Sequence, residues 1–547
     1  MLQRLARSFL FVLVAGAVHP AAGATCEDLV KLVLPDTTIT AATSITPPFT
    51  VSSPQGGAAV SAPFCRVEAF LTPTSDSHIG IEVWLPPAGV WNHKYQAVGN
   101  GALAGALNPR AMLNGLNHGY ATMTSDLGHV NSLDDPAHFD SADARWTHGH
   151  PEKIVDFGYR AAHLSTVAAK RIIEAYYGTG PQHSYFIGCS GGGHEALTES
   201  LRFPGDYDGY IIGDAGPNQI NMWAGRAPFD HSSTIIKPEQ LTLVHKFVLQ
   251  NCLGKDGGLQ ADGFLTNPAA CAFDPKKLLC KTGQDASTCL GSAQVQAFSN
   301  IYDGLRNPRT RELIDPGYAP GSETNWLQYL SKPLPPGAPA PYNPAATWPK
   351  LLAFVVYDDP DYIAKNKYQN FDFDKEETVA LGKIVAGQTL GSIFNNDNPS
   401  LEPTKEEGAK IIHYHGWEDG NVPSMLAVDF YTQMVADQAS RHGLSPEDAL
   451  HETQSFYRLF MVPGMAHCMG GPGPNVFDTL TPLEHWVEKG VAPDKLVATK
   501  YTNNDPKQGV AMTRPLCPYP QIPKYSGSGD TNDATNFVCA NPNSKSR

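Results

Sequence analysis

The sequence lacks the features of a nucleic-acid-binding protein and of an integral membrane protein. Basic residues are in the minority, with 40 Lys and Arg against 54 Asp and Glu, so the formal net charge is −14. Phosphate backbones attract clustered Lys and Arg, and this acidic balance therefore predicts no nucleic-acid partner. Beyond the amino terminus, no apolar run approaches the roughly 20 residues that a transmembrane helix needs. We therefore predict no membrane-spanning segment in the mature chain.

The amino terminus has the pattern of a cleaved export signal. A segment with two arginines precedes an apolar stretch at residues 9–18. This stretch is too short to span a bilayer comfortably, and small residues follow it up to Ala24. We predict a signal peptide over residues 1–24 and a mature protein that is secreted or periplasmic.

The sequence also lacks a C-x-x-C pair, so zinc binding and thiol redox chemistry are not indicated. Its 10 cysteines form an even number, which in an exported chain predicts disulfides. Eight of them fall into short-range or terminal pairs: Cys26–Cys65, Cys252–Cys271, Cys280–Cys289 and Cys517–Cys539. Cys189 and Cys468 remain, and we predict that they bond to each other.

The pattern of elements divides the chain. Strand-like and helix-like segments alternate over residues 25–220, which is typical of a mainly parallel sheet with helices on its faces. This alternation is lost over residues 221–404, which are rich in cysteine and proline, and it resumes over residues 405–547. At 547 residues the chain is too long for one compact core. We predict an α/β catalytic domain that is interrupted by an inserted lid domain.

A few elements are clear from the sequence alone. Residues 78–86, "HIGIEVWLP", alternate apolar and polar side chains like a strand. The stretches "KYQAVGNGALAG" and "YATMTSDLG" have the pattern of further strands that end in loops. A helix is predicted from Pro151, with proline in its first turn, to its end before Gly178.

The stretch "SYFIGCSGGGHEAL" has the layout of a nucleophile elbow. An apolar run enters a Gly-Cys-Ser-Gly-Gly turn, and a helix-compatible segment follows. Gly188 and Gly192, two residues before and after the serine, allow the strand and the helix to approach closely. This pattern predicts that Ser190 is a nucleophile. The alternative is a glycine-rich loop with an incidental serine.

Two later loops supply partners for this serine. In such a sheet the acid and then the histidine follow later strands, as Asp419 does in "IIHYHGWEDG" and His467 does in "RLFMVPGMAHC". The predicted bond between Cys189 and Cys468 would hold their α-carbons about 5.5 Å apart. Their chain neighbours Ser190 and His467 then lie close together. We predict that His467 is the general base and that Asp419 orients it.

The oxyanion of the reaction also needs hydrogen-bond donors. The backbone amide of Gly191, the residue after the nucleophile, is one expected donor, and Gly101 in "GNGALAG" is the best candidate for the other. Other assignments of the base and the acid remain open: His413 or His415 as the base, and Glu418 as the acid.

These stretches together resemble the tannase and feruloyl esterase family, which includes mono(2-hydroxyethyl) terephthalate hydrolase-like enzymes. The resemblance covers nearly all of the mature chain. It rests on "DFGYRAAH", "YFIGCSGGGHEAL", "RFPGDYDGYIIG", "HGWED" and "PGMAHCMGG". It implies an α/β-hydrolase core with a large inserted lid and serine ester hydrolysis without an organic cofactor. The triad positions of the family fall on Ser190, Asp419 and His467, and the family's disulfide beside them agrees with the predicted pair.

The resemblance also implies a calcium site in the lid. The matching stretch here is "NCLGKDGGLQADGFL", in which Asp256 and Asp262 match two acids of the family pattern. Leu253 stands where a further acid would be. The ligands implied for Ca²⁺ are therefore Asp256, Asp262 and the carbonyl of Phe264, with a role in bracing the lid. Calcium takes about six to eight oxygen ligands, and Asp-Gly pairs are also ordinary turn formers.

The substrate class follows from the same resemblance. Members of the family cleave esters of hydroxycinnamic acids or gallic acid, or terephthalate monoesters, so we expect a small aromatic ester, feruloyl first and galloyl second. Val422, three residues after Asp419, is expected to line the substrate pocket. The alternatives are a terephthalate monoester hydrolase, a serine peptidase with the same triad and a non-catalytic ligand-binding protein with this fold. The intact triad argues against the last.

Overall fold

A computed structural model gives the fold of the chain. None of the helices in the part of the chain that it describes is long and apolar enough to cross a membrane. The predicted signal peptide, residues 1–24, lies almost entirely outside this part. The described residues are 23–53, 57–130, 143–226, 235–328, 347–362, 365, 371–396 and 398–542.

The core is a nine-stranded mixed sheet. The strands are Thr37–Ile45 (β1), Phe64–Leu71 (β2), Ile79–Leu85 (β3), Lys94–Val98 (β4), Ala121–Ser125 (β5), His183–Cys189 (β6), Gly209–Gly213 (β7), Lys410–Gly416 (β8) and Tyr457–Val462 (β9). Their order is β1-β2-β3-β5-β4-β6-β7-β8-β9. The strands β1, β2, β3 and β5 pair antiparallel, and all pairs from β5 to β9 are parallel. The carboxyl ends of β4, β6, β7, β8 and β9 therefore meet at one edge.

The parallel strands are mostly buried because both faces of the sheet are covered. Every residue of β5 and β7 is buried. In the register of the sheet, Ile187 of β6 lies opposite Val98 of β4 and Ile211 of β7. This part of the sheet is the rigid base on which the loops at its carboxyl edge are held.

Helices cover the sheet and fill the inserted region. They are Pro109–Asn117 (α1), Pro151–Val155 (α2), Ala161–Tyr177 (α3), Gly191–Arg202 (α4), Gln219–Ala224 (α5), Pro238–Cys252 (α6), Ser292–Asp303 (α7), Thr347–Lys350 (α8), Glu376–Gly382 (α9), Leu390–Phe394 (α10), Glu402–Glu406 (α11), Met425–His442 (α12), Pro446–Gln454 (α13) and Leu480–Lys489 (α14). The helix predicted from Pro151 ends at Gly178, whose φ of 74° is a left-handed cap. A wider π turn over residues 156–160 separates α2 from α3. At this turn a Cβ on Gly158 would lie 2.3 Å from Ile393 Cγ2, so only glycine admits the contact.

The region predicted as the lid packs in two different ways. Residues 236–326 contribute a hydrophobic cluster of their own, which includes Phe298 and Trp326. By contrast, apolar residues between Trp348 and Leu401 belong to the same cluster as the sheet. The boundaries at residues 221 and 404 stay a prediction.

Short two-stranded sheets complete the fold. Their strands are Phe49–Val51 with Ala58–Val60, Leu305–Arg306 with Leu313–Asp315, Ile384–Val385 with Gln388–Thr389, Leu496–Tyr501 with Val510–Leu516, and Ile522–Tyr525 with Phe537–Ala540. Two of them follow the last strand of the main sheet and form a carboxyl-terminal extension. This extension lies beside the loop that carries Asp256 and Asp262, because Arg514 of the extension contacts Asp262.

Five disulfides join the ten cysteines in the pairs that the sequence predicted. The long-range pair is Cys189–Cys468, with a sequence separation of 279 and a Cα–Cα distance of 6.0 Å. The other four have sequence separations of 39, 19, 9 and 22. A chain with this many disulfides fits an extracellular protein.

Candidate active site

Ser190 occupies a strained turn between β6 and α4. Its backbone angles, φ of 62° and ψ of −122°, lie in a region that residues other than glycine rarely adopt. The end of strand β7 holds this turn, because the Ser190 amide donates a hydrogen bond to the carbonyl of Gly213 at 2.9 Å. A Cβ on Gly188 would lie 2.0 Å from the carbonyl oxygen of Gly192. Glycine at position 188 is therefore required, as expected for an elbow.

Asp419 and His467 are in direct contact. His467 Nδ1 donates to Asp419 Oδ2 at 2.7 Å. The other carboxylate oxygen, Oδ1, accepts from the amides of Asn421 at 2.6 Å and Val422 at 2.9 Å. The second ring nitrogen, Nε2, has no hydrogen-bond partner among the described residues. Ser190 and His467 line the same cavity, so this nitrogen is available for the serine proton when a substrate binds.

A disulfide connects the loops of Ser190 and His467, and both residues line one cavity. The bond between Cys189 and Cys468 connects the residue before Ser190 to the residue after His467. The cavity above it has a volume of about 610 Å³. Its lining includes Val98, Asn100, Gly101, Asn108, Ile187, Ser190, Tyr414, Asn421 and His467. This volume suits a small organic molecule.

The charges of the acid and the base stabilise each other. Burial would raise the pKa of the Asp419 carboxyl, but the charge of His467 and the contacts with the rings of His467 and His415 hold this pKa well below its usual range. Burial likewise would lower the pKa of His467, but the charge of Asp419 and its hydrogen bond raise it. The carboxylate is thus ionised at neutral pH and favours the imidazolium that forms when the base accepts a proton.

Backbone amides beside the elbow suit an oxyanion. Gly191 is the first residue of α4, where an amide has no partner within the helix. Gly101 lines the cavity next to it, because a Cβ on Gly191 would lie 3.2 Å from the Gly101 carbonyl carbon. Helix α4 also fixes this loop: the Gly192 amide donates to Asn100 O at 2.5 Å, and the Asn100 amide donates to Glu195 Oε1 at 2.8 Å.

Glu195 was not assigned a role from the sequence. It lies half-buried on α4, four residues before the buried Glu199, and burial raises the pKa of Glu195 to about 8. A sequence signal existed in the two acids that follow the elbow at helical spacing. What the sequence does not contain is the partner, since the Asn100 amide lies 95 positions away.

The other candidate residues lie apart from the nucleophile. His413 is buried in the sheet, where Nδ1 contacts the hydroxyl of Tyr457 at 2.5 Å. His415 is also buried, with Nε2 at 3.4 Å from Asp419 Oδ2. It therefore lies behind the acid and away from the cavity wall. Glu418 is buried, and no described residue forms a hydrogen bond with its carboxyl oxygens.

The chain matches one known protein family over most of its length. A model of the family described as "Tannase and feruloyl esterase" matches residues 65–540, which is most of the chain. The chain belongs to the tannase and feruloyl esterase family.

Relatives within the tannase and feruloyl esterase family agree over most of their length. An uncharacterised esterase from Xanthomonas campestris pv. campestris is 38% identical, and the match covers 95% of this chain and 92% of that protein. The mono(2-hydroxyethyl) terephthalate hydrolase of Piscinibacter sakaiensis is 31% identical over 83% and 80% of the two chains. The crystal structure of feruloyl esterase B from Aspergillus oryzae superposes with a TM-score of 0.78 at 26% identity, covering 94% of this chain and 99% of that one. The predicted α/β-hydrolase fold is confirmed, and the chain is a carboxylic ester hydrolase.

The predicted calcium ligands of the family are engaged by other groups here. Asp256 accepts three backbone hydrogen bonds, from the amides of Gly258, Thr266 and Asn267 at 3.1, 2.5 and 3.2 Å. The nearby carboxylate of Asp262 pairs with the guanidinium of Arg514 instead. A carboxylate saturated by N–H donors offers few lone pairs to a cation.

Arg514 places a fixed positive charge at this site. Its Nη2 lies 2.8 Å from Asp262 Oδ1, and both side chains are buried. Phe264, whose carbonyl was the third predicted ligand, packs its ring against the backbone of Gly464. A guanidinium beside the second acid repels a divalent cation. The donor arrangement therefore does not fit Ca²⁺, which stays a prediction from the family pattern alone.

The predicted pocket residue Val422 lies below the cavity wall. Its side chain is 3% exposed and belongs to the hydrophobic core. Its amide binds Asp419, and its carbonyl accepts a hydrogen bond from His415 Nε2 at 3.1 Å. The neighbouring Asn421 lines the cavity. A substrate contact by Val422 stays a prediction, and the structure assigns its backbone to the support of the acid.

Proposed function

We propose that this chain is an exported serine esterase that hydrolyses esters of small aromatic carboxylic acids through an acyl-enzyme on Ser190. The observation that carries the proposal is the convergence of a strained serine, a hydrogen-bonded His–Asp pair and the first residue of helix α4 on one cavity. The substrate class is supported by relatives named feruloyl esterase and mono(2-hydroxyethyl) terephthalate hydrolase. Apolar and amide side chains on the cavity wall suit a flat aromatic ring with hydroxyl groups.

The reaction begins at the serine hydroxyl. Ser190 Oγ attacks the ester carbonyl carbon while its proton passes to His467 Nε2. Asp419 stabilises the resulting imidazolium and keeps Nδ1 protonated. The negative oxygen of the tetrahedral intermediate accepts hydrogen bonds from the amides of Gly191 and Gly101. Loss of one such donor costs about 3 kcal/mol of transition-state stabilisation.

Collapse of the intermediate then releases the alcohol. His467 returns its proton to the leaving alkoxide, the carbon–oxygen bond of the ester breaks, and the acyl group stays on Ser190. A water molecule next gives its proton to His467 and attacks the acyl carbon. The second tetrahedral intermediate expels Ser190 Oγ, which regains a proton from the imidazolium. The products are the free acid and the alcohol.

The test is a set of initial rates for the purified mature protein. Methyl ferulate, methyl gallate and mono(2-hydroxyethyl) terephthalate are compared, with Ser190→Ala as the blank. We expect serine-dependent turnover with methyl ferulate fastest and methyl gallate second. A preference for the terephthalate monoester would favour the activity named for the 31% identical relative. A Ser190→Ala variant with wild-type rates would contradict the triad.

Two further assays separate the remaining alternatives. A serine peptidase would cleave feruloyl amides as well as esters, whereas we expect ester cleavage alone. A non-catalytic binding protein would not react with a fluorophosphonate, because its serine would not be activated. We expect labelling that Ser190→Ala abolishes.

A further inference from the structure

A buried carboxylate that the proposed mechanism does not use lies next to the triad. Asp214 directly follows β7, is fully buried and has a φ of 40°. Its amide donates to the carbonyl of Tyr414 on β8 at 2.9 Å. A charged side chain in such a place must be hydrogen-bonded or neutralised, so its contacts show what it does.

The two oxygens of this carboxylate bind the loops of the acid and of the base. Oδ1 accepts from the amide of Gly416 at 2.8 Å, at the end of the strand that leads to Asp419. Oδ2 accepts from the amide of Cys468 at 3.2 Å, directly after His467. Both bonds bridge more than 200 positions of sequence. One side chain thus fixes the relative position of the two loops.

We propose that Asp214 is a positioning residue for ester hydrolysis: its carboxylate holds the loops of Asp419 and His467 in register, and its negative charge favours the protonated form of His467. The proposal rests on the proposed function of Ser190, Asp419 and His467. It differs from the role of Asp419 because Asp214 touches neither ring nitrogen of His467 within hydrogen-bond distance among the contacts described.

The electrostatic surroundings support this role. Burial raises the pKa of Asp214 to about 7, with the negative charge of Asp419 acting in the same direction. His415 Nε2 lies 3.7 Å from Asp214 Oδ1 and opposes the shift. The titratable groups that face Asp214 from the neighbouring elements are Tyr414 and His415 on β8, Asp419 on the acid loop and His467 on the base loop. Cys189 at the end of β6 is disulfide-bonded and does not titrate.

A consequence for the pH dependence follows. The charge of Asp214 is among the causes that raise the pKa of His467. The base must be neutral to accept the serine proton, so an ionised Asp214 moves the ascending limb of kcat/KM to higher pH. Removal of this charge moves the limb to lower pH. Because the charges of Asp214 and His467 each shift the pKa of the other, their protons are coupled.

The experiment uses Asp214→Asn in the full mature protein with p-nitrophenyl acetate, an activated ester that does not depend on the aromatic assignment. In asparagine, an NH2 group replaces one of the two carboxylate oxygens. It then faces a backbone amide, of Gly416 or Cys468, that the oxygen had accepted a hydrogen bond from. We expect kcat to fall about tenfold to a hundredfold, because small misplacements of catalytic groups have effects of this size. We expect KM to change by less than about twofold, and the ascending limb to move to lower pH.

A matched control is available in the same sheet. Asp126 is also buried, with Oδ1 accepting from the amides of Gly80 and Gly128 at 2.8 Å each. Burial raises its pKa to about 7 as well, but the charges that act on it are those of Asp156 and Lys153. We expect Asp126→Asn to leave kcat and the ascending limb unchanged, whatever its effect on the melting temperature.

Further variants test the charge and the hydrogen bonds of Asp214 separately. Asp214→Glu retains the charge, and we expect its ascending limb to stay near that of the wild type while kcat falls. If Asp214→Asn does not fold, Asp214→Ser frees the two amides without reversing a donor and gives the same pH comparison. Ser190→Ala must be inactive in the same assay, and activity there would contradict the triad instead. A folded Asp214→Asn with wild-type kcat, or with a limb that does not move, would overturn the proposal.

Discussion

At the residue scale, the proposed role of Asp419 as the acid of the triad depends on its charge. Asp419 is buried, yet the two imidazoles beside it hold its pKa below the usual range, so it is ionised throughout the working pH. Asp419→Asn keeps the shape but removes the charge and favours the wrong tautomer of His467. We expect kcat on p-nitrophenyl acetate to fall by about 10³ to 10⁴, with the fold retained. Circular dichroism and the melting temperature check the fold.

The adjacent Glu418 provides the control for this variant. Burial and the charge of Glu323 raise the pKa of Glu418 well above its ordinary value, which favours its neutral form. Glu418→Gln copies this neutral form, and its kcat is expected to stay close to that of the wild type. If Glu418→Gln instead lost as much activity as Asp419→Asn, the acid would have been assigned to the wrong residue.

Some site residues could be predicted from the sequence and others could not, for a physical reason. Ser190 and His467 stand in local patterns, and the pairing of Cys189 with Cys468 adds a distance between them. The roles of Asp214 and Glu195 depend on amides that are distant in sequence. Their surroundings arise only when strands and helices have packed, so no local pattern contains them.

At the element scale, helix α4 does more than follow the proposed nucleophile Ser190. Glu195 on α4 accepts a hydrogen bond from the Asn100 amide, and Asn100 precedes the candidate oxyanion donor Gly101. Glu195→Ala leaves the Asn100 amide without this acceptor and loosens the loop. We expect kcat to fall about tenfold, a fraction of what removal of an oxyanion donor costs, with KM nearly constant.

Glu195→Gln is the comparison for that variant. Its side-chain oxygen can still accept from the Asn100 amide, and because burial raises the pKa of Glu195 to about 8, the natural side chain is already mostly neutral at pH 7. We expect Glu195→Gln to retain most of the activity. Equal losses in both variants would contradict a role through this hydrogen bond.

The elements themselves were predicted unevenly. The strand expected at residues 78–86 is β3, Ile79–Leu85, and its apolar side chains are buried. By contrast, β1 was not predicted, because it is an edge strand with only Ile39 of its nine residues buried. The π turn inside the helix predicted from Pro151 also depends on a tertiary contact, between Gly158 and Ile393. The pattern of side chains thus indicates the buried strand β3 but not the edge strand β1.

At the scale of the whole molecule, the long-range disulfide combines stability with catalytic geometry. We expect the double variant Cys189→Ala with Cys468→Ala to lower the free energy of unfolding by about 2–5 kcal/mol and also to lower kcat. The matched control is the pair Cys280–Cys289, with a sequence separation of 9. Its removal should change kcat little and stability less, because a short loop gains less from closure.

Thermal unfolding and initial rates of the two double variants give the measurement. The informative quantity is kcat at a temperature where both variants are fully folded. If the Cys189/Cys468 variant then hydrolysed the ester at the wild-type rate, the disulfide would contribute to stability alone. It would not be needed to hold Ser190 and His467 close together.

A buried ion pair joins the predicted lid region to the carboxyl-terminal extension. Arg514 and Asp262 form a buried pair, and the guanidinium lies 4.3 Å from the centre of the Phe537 ring. Arg514→Ala leaves the Asp262 carboxylate buried and unpaired, which costs about 3–5 kcal/mol of stability. We expect a clear loss in melting temperature. Added CaCl₂ or EDTA should leave the melting temperature of the wild type unchanged.

Arg441→Ala is the control, because the Arg441–Asp437 pair is partly exposed, and such pairs contribute about 0–1 kcal/mol. A wild-type melting temperature that rose with Ca²⁺ and fell with EDTA would restore the calcium site implied by the family pattern. A stable Arg514→Ala would show that the extension is held by its other contacts.

The Cys189–Cys468 bond also closes the chain between these two cysteines into a covalent ring, which contains the whole predicted lid. A single backbone cut between positions 190 and 467 would give two polypeptides, with the nucleophile on one and the base on the other. Sulfur would still join them, so the cut protein would migrate as one band on a gel without reductant and as two bands with it. The two catalytic halves are separated by a reducing agent acting after a protease, and by neither alone.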